Sequence, residues 1–141
     1  MNKTNSGEAD LKLLLKTLQP ERLPGEFVFL TFEGAAYGAY PELNPLGAFT
    51  EGEGLSLIVP RDRADHYKHA YESVYSAITL TVHSSLDAVG LSAAIAHQLT
   101  EHNISCNIVA ARYHDHVFVP THQAKTALSA LISLQTNALN H

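Results

Sequence analysis

Two stretches of this chain, "LIVPRDRADHYKHAY" and "VFVPTHQAKTALSAL", align at an offset of sixty residues. The shift places Val59 on Val119, Pro60 on Pro120, Ala64 on Ala124 and Ala70 on Ala130. Each copy reads as an apolar strand that ends in Val-Pro and feeds a helix, because proline's fixed φ and missing N–H suit the first helical position. The elements on either side shift by the same sixty residues, which points to a duplicated module. Both halves must therefore reach one architecture.

The second copy shows that architecture more clearly. "AITLTV" (77–82) alternates, with Ile78, Leu80 and Val82 on one face and Thr79 and Thr81 on the other, as a half-buried strand does. Ala88, Leu91, Ile95 and Leu99 recur at three and four residues and predict a helix over 85–101. "ISCNIVAARY" (104–113) and "HVFVP" (116–120) predict strands joined by a tight "YHD" turn. "HQAKTALSALISL" (122–134) predicts a helix burying Ala124, Ala127, Leu128 and Leu131. The order is β-α-β-β-α, and no clear strand follows.

The first copy is less regular. "DLKLLLKTL" (10–18) sets Leu11, Leu14, Leu15 and Leu18 on one helical face, and "PERLPGE" stops that helix with two prolines and a glycine. "FVFLTF" (27–32) and "GLSLIVP" (54–60) predict strands, "LGAFT" a weaker one. "DRADHYKHAY" (62–71) predicts a helix with Asp62 as its N-cap. Residues 33–45, "EGAAYGAYPELNP", carry no apolar period and stand where the second copy has its first helix.

A length of 141 residues, 45% hydrophobic and 16% charged, describes a globular chain of one ordinary domain or two small modules. The formal charge is −5, with nine scattered Lys and Arg and no basic run. That balance argues against nucleic-acid binding, which rests on phosphate neutralisation. No apolar run reaches the ~18 residues of a membrane span. The polar start lacks the apolar stretch of a secretory signal. Cys106 is the single cysteine, so no intrachain disulfide forms, and a reducing cytoplasm is the expected location.

The strand, the turn at "HSSLDAVG", the helix and then "EHNISCNIVAARYHDHVFVP" resemble an ACT domain. The resemblance is most specific over 77–134, and the first half shares the strand–helix order alone. The whole chain is similar to free-standing tandem ACT proteins of bacteria, and its plan is similar to the regulatory half of aspartate kinases. The resemblance implies an α+β fold. Two ferredoxin-like βαββαβ modules stand in tandem, with antiparallel sheets, helices on one face and a degenerate N-terminal module. The expected division is an N-terminal helix and linker (1–22), a first ACT-like module (23–75), a second ACT domain (76–134) and a tail (135–141). The family's last strand is missing here, and 26–32 or a partner chain would have to supply it.

The resemblance also implies regulation without catalysis. A free amino acid would bind between the modules and no cofactor would be needed. The chain would form a homo-oligomer, with a partner enzyme as its target. The alternative is a protein–protein interaction module that works without a ligand. A small enzyme or metal protein using the His-rich turns is a third reading.

The turn from His83 to Gly90 (His83, Ser84, Ser85, Leu86, Asp87, Ala88, Val89, Gly90) is the central candidate. Its His, Ser and Asp do not suit a catalytic triad, because neighbours at a strand end point to opposite faces and no G-x-S-x-G elbow surrounds the serines. Ser84-x-x-Asp87 instead has the spacing of a capping box. A helix N-terminus also offers N–H groups to a carboxylate. Asp87 would take the ligand's ammonium, and His83 would make binding sensitive to pH. The resemblance adds Asn107 and Ile108, at the start of the second strand, where the family uses backbone groups. Glu51 and Glu53 in "TEGEG" would lie on one face if extended and present a carboxylate to the ammonium; otherwise they are a solvated hairpin. The nine histidines lack the second cysteine and the convergent spacing of a metal site. Tyr37, Tyr40 and Phe49 are expected to pack the irregular side of the first module, with Tyr37 a lesser candidate for lining a ligand.

Overall fold

A computed structural model of the chain describes residues 3–81 and 89–140, with the backbone alone for residues 3–9. The elements in order are α1 (Lys3–Lys16), β1 (Pro20–Arg22), β2 (Phe27–Phe32), β3 (Gly47–Glu51), β4 (Gly54–Pro60), α2 (Arg61–His66), β5 (Tyr75–Leu80), α3 (Leu91–Glu101), β6 (Asn107–Ala110), β7 (Asp115–Pro120) and α4 (Ala124–Leu139). Short 3-10 turns occupy Pro41–Leu43 and Thr121–Gln123. The chain forms two compact units. One combines the residues up to Leu23 with those from Ala77 onward, and the other is Pro24–Ser76. The second is thus inserted into the first, and each has its own core.

In the discontinuous unit the strand order is β1-β5-β7-β6. Leu11, Leu14 and Leu15 of α1 pack against a core that holds Leu18, Ile78, Leu80, Leu91, Ile95, Leu99, Val117, Val119, Ala127 and Leu131. The helical spacing read from 10–18, 91–99 and 124–131 therefore selects the buried faces. β1 was not expected. It pairs antiparallel with β5, Pro20 opposite Leu80 and Arg22 opposite Ile78. The Leu23 N–H donates to the Ala77 carbonyl at 2.8 Å. By alternation along an antiparallel ladder, Pro20 turns its ring nitrogen away from β5, which is where a proline is tolerated in an edge strand. The fourth strand of this unit therefore comes from 20–22 of the same chain, rather than from 26–32 or another chain.

The side chain of Gln135 closes the end of α1. Its Nε2 donates to the Lys16 carbonyl at 2.8 Å, and its Oε1 accepts from the Gln19 N–H at 3.1 Å. One amide thus satisfies a carbonyl left over at the helix end and pins the turn into β1. Gln19 itself has φ 43, so the chain reverses sharply before Pro20.

The inserted unit has the order β3-β4-β2, and Phe27 of β2 pairs with Tyr75 at the start of β5. The same ferredoxin-like plan is present with its last strand shortened. Twenty residues separate the starts of β2 and β3, whereas thirty-two separate β5 and β6. The difference is about one short helix. Leu43, in the 3-10 turn, and the partly buried Ala35, Ala39 and Tyr40 cover the core where that helix would lie.

The sixty-residue echo is visible in the backbone. Pro60 has φ −57, ψ 134 before α2, and Pro120 has φ −54, ψ 135 before the 3-10 turn leading to α4. Val59 and Val119 are fully buried, as are Ala64 and Ala124. Beyond that the copies part, because Ala70 is exposed while Ala130 is buried. The helix expected over 62–71 spans 61–66, with Pro60 rather than Asp62 at its N-cap position. The strand expected over 104–113 is confined to 107–110.

α2 and α3 end in the same way. Lys68 N–H bonds to Asp65 C=O and His69 N–H to Ala64 C=O, at 3.1 and 2.9 Å. Asn103 N–H bonds to Thr100 C=O and Ile104 N–H to Leu99 C=O, both at 2.9 Å. These are paired Schellman bonds, which require a left-handed residue just past the helix. Lys68 (φ 61) and Asn103 (φ 55) fill that position. Lysine has no side-chain compensation there, so Lys68→Gly is expected to stabilise the chain by about 0.5 to 1 kcal/mol, after the entropy cost of glycine. A urea melt that shows no gain would contradict this.

Candidate functional site

α3 begins at Leu91, and its N-cap residue is Gly90, with φ 97 and ψ −13. The helix therefore starts later than the 85 expected from periodicity. Ser84 and Asp87 lie outside the described residues, together with His83, Ser85, Leu86 and Ala88. The N-cap place of α3 belongs to Gly90, and the capping-box reading of Ser84 and Asp87 falls on residues outside the described ones. The backbone conformation favours glycine there, and the space beside it is tight. Its φ is in the left-handed region, and an added Cβ would lie 3.2 Å from Leu11 Cδ2 of α1. Gly90 also has no side chain to accept from the first-turn N–H groups, and the Ala94 N–H bonds to the Gly90 carbonyl at 2.9 Å. The amides before Ala94 keep the orientation that favours an anion. Val89 beside it is 82% exposed.

Asn107 opens β6 opposite Phe118 and is exposed, while Ile108, opposite Val117, packs on the core of its unit. Successive strand residues face opposite sides, so these two do not present side chains to one ligand. β6 is an outer strand in the order of its unit. Ile108 can contribute only main-chain groups to a ligand.

Glu51 and Glu53 belong to the inserted unit. The chain reverses between them, with Glu51 paired to Gly54 across a tight hairpin, so the extended run that would align their carboxylates is not formed. Glu51 accepts a hydrogen bond from the Ser56 hydroxyl, which is also 2.8 Å from the Thr31 hydroxyl. Glu53 is exposed in the turn.

The histidines spread over both units. His116 lies in β7 with Nδ1 2.9 Å from Thr79 Oγ1. Burial pushes its pKa down, aided by nearby His114, and burial pushes the adjacent Asp115 carboxyl up. His69 lies past the end of α2, edge-on to Phe32. Among the described residues no three His, Cys, Asp or Glu side chains converge to hold a metal ion, and no helix is long and apolar enough to cross a membrane. Cys106 is partly buried against the core, and burial raises its pKa, which keeps it a thiol.

Tyr40 packs as expected, stacked on Phe32 at 3.8 Å between ring centroids. Tyr37 and Phe49 do not, at 82% and 74% exposed. A charged network escaped notice in the sequence. Arg61 Nε donates to Tyr71 Oη at 2.9 Å and Nη1 to Glu26 Oε1 at 3.0 Å, and Tyr71 Oη donates to Asp65 Oδ1 at 2.7 Å. These contacts hold the Arg61 pKa above its ordinary value, the Tyr71 bond foremost. Arg61 is the residue just past the Val-Pro end of β4, and Tyr71 lies ten residues on, outside any helical period. Asp65 is an i,i+4 neighbour of Arg61 on α2, but Glu26 and Tyr71 reach it only through the fold.

Comparisons with known proteins follow the same division. Two models described as ACT domain match, one over residues 6–76 and one over 72–133. A Vibrio cholerae protein of unknown function, described as a possible transport protein, is 43% identical over 92% of this chain and 98% of its own, with a TM-score of 0.82. An Agrobacterium tumefaciens protein is 15% identical, covering 82% of this chain and 87% of its own, with a TM-score of 0.63. The ligand-free regulatory subunit of Thermus thermophilus aspartate kinase is 10% identical, covering 84% of this chain and 97% of its own, with a TM-score of 0.61. At such identities the last two likenesses are of fold alone. A search of curated proteins finds no match. The repeated Val-Pro strand end, the two ferredoxin-like strand orders and the two matched segments agree, and the chain belongs to the ACT-domain family, carrying two such domains in tandem.

Proposed function

We propose that this is a non-catalytic regulatory protein that binds a free amino acid at the interface of its two ACT modules. The supporting observation is the start of α3. An eleven-residue helix opens on a glycine that offers no capping side chain, and a helix N-terminus is an environment that favours a carboxylate. In this reading the turn 83–90 receives the α-carboxylate and Asp87 the α-ammonium. Main-chain groups of Asn107 and Ile108 complete the contacts, and Glu51 or Glu53 supplies a second carboxylate. In this reading the modules are 23–75 and 76–134, with 1–22 and 135–141 belonging to the unit of the second. The regulatory role agrees with the family and with its likeness in fold to aspartate kinase regulatory subunits.

A thermal-shift screen of the twenty amino acids tests this. A ligand present at 100 times its Kd adds about 2.7 kcal/mol. For 141 residues that is a rise in Tm of roughly 9 °C. Absence of any shift at millimolar concentration and neutral pH would remove the sensing role.

A second reading has its own observation. β3 is the outer strand of the inserted unit's order, and Phe49 stands exposed on it. Such an edge suits pairing with a partner enzyme or a second copy. Association measured by sedimentation without any amino-acid effect would select this interaction module instead.

A further inference from the structure

The fourth strand of the inserted unit is short, and a slot opens where it would continue. Phe27 of β2 is paired with Tyr75, the first residue of β5. Extended in that register, Ser73 would oppose Phe29 and Tyr71 would oppose Thr31. The chain leaves the sheet instead, and residues 71–74 belong to no strand. Tyr71 shows why. Its side chain packs against the core, and its hydroxyl bonds to Arg61 and Asp65 at 2.9 and 2.7 Å, which ties it to α2 rather than to β2. Between the two segments lies a cleft of about 440 Å3. It is lined by Phe29, Thr31 and Phe32 on one side and by His69, Glu72 and Tyr75 on the other.

The main chain of β2 faces this cleft. Glu51 and Gly54 flank a two-residue turn, so they form a hydrogen-bonded pair, and the bonding alternates from there. Ser56 and Ile58 therefore bond to β3, whereas Leu55, Leu57 and Val59 bond to β2 opposite Phe32, Leu30 and Val28. Phe27, Phe29 and Thr31 turn their N–H and C=O groups the other way, and Phe27 uses that side toward Tyr75. At Thr31 no main-chain bond is made there among the described residues, and the residue is exposed. Phe29 and Phe32 lie on opposite faces of β2, an arrangement that suits an added strand, whose own side chains alternate in the same way. Charge adds a preference. Pro24–Ser76 holds eight Asp and Glu against three Lys and Arg, so the whole formal charge of −5 resides in this unit. Arg61 is met by Glu26 and Asp65 near the Tyr75 end of the cleft, whereas exposed Glu33 follows its Thr31 end. We propose that this cleft takes an extended, basic peptide segment of a partner protein, which adds to β2 as a strand paired at Thr31. The site shares no residue with the amino-acid site or with β3.

The blocked peptide Lys-Lys-Val-Thr-Val-Lys-Lys is the probe, titrated into the isotope-labelled full chain at neutral pH while amide spectra are recorded. A saturable shift of the Thr31 and Phe32 amides is expected below about 1 mM peptide. Methylating the three central peptide nitrogens removes the donors of the added strand and should weaken binding about tenfold. Glutamate in place of lysine should weaken it about tenfold as well. Thr31→Pro removes the pairing N–H at a position where β4 does not use it, so the fold tolerates proline, and it should weaken binding about tenfold. Thr31→Val keeps that N–H and should bind as the parent does. The methylated peptide tests the same bonds with the protein unchanged. No saturable shift, a shift centred on Ala48 and Thr50 of β3 instead, equal binding of the methylated or glutamate peptide, or undiminished binding in a folded Thr31→Pro protein would each overturn the proposal.

Discussion

Gly54→Ala is expected to lower stability by about 4 kcal/mol, a large fraction of what a domain this size possesses. Gly54 has φ +145, a region populated by glycine alone. A Cβ built there would lie 2.5 Å from the Phe32 carbonyl oxygen, 2.9 Å from its carbon and 3.0 Å from Glu33 Cα. All three are main-chain atoms, so no side-chain rotation relieves the overlap. The strands must move instead. That motion disturbs the register in which Phe32 opposes Leu55, and it displaces the ring stacked on Tyr40. Gly52→Ala is the control in the same hairpin, because a Cβ at Gly52 has nothing within 4 Å. It should stay within about 0.5 kcal/mol of the parent. Urea unfolding of the pair measures the difference, and a Gly54→Ala protein as stable as Gly52→Ala would contradict this account.

Leu18→Ala is expected to cost about 3 kcal/mol, within the range for truncating a buried leucine. Leu18 is fully buried among Ile78, Leu80, Leu99 and Leu131, although it lies between the end of α1 and the start of β1. Its carbonyl also accepts from the Thr81 N–H at 3.2 Å. The N-terminal segment thus completes the core of a unit whose other elements begin sixty residues later. Leu13→Ala, on the exposed side of the same helix, should change stability by less than about 0.5 kcal/mol. Comparable losses for the two variants would mean that α1 is only loosely attached.

These two residues show where local pattern stops being informative. The burial of Leu91, Ile95, Leu99, Ala124, Ala127 and Leu131 follows from their spacing, because a helix of fixed period can hide only one stripe. The Val-Pro strand ends and the alternation in "GLSLIVP" are equally local, and β4 buries Leu55, Leu57 and Val59 in that rhythm. β1 has no such signature. Three residues, one of them proline and two charged, form a strand because β5 offers an unoccupied side, not because "PER" prefers to be extended. The start of α3 was misplaced for a related reason. Ala88 continues the apolar period, but Gly90 adopts a left-handed φ against Leu11, and that contact comes from a helix some eighty residues away.

The candidate site divides in the same way. The amino-acid types in "HSSLDAVG" were suggestive before any fold was known, and Gly90 became the helix cap only through its packing. The separation of Glu51 from Glu53 by a chain reversal, and of Asn107 from Ile108 by strand alternation, are likewise conformational facts.

By itself the sequence determined the duplication, the α+β class, the family and the buried stripe of each long helix, because these depend on residue types recurring at short, fixed periods. The tertiary structure decided which strand completes the discontinuous unit, where α3 begins and which groups from outside α2 surround Arg61. Those depend on contacts between residues ten to more than a hundred apart in the chain, and such contacts leave no period to read.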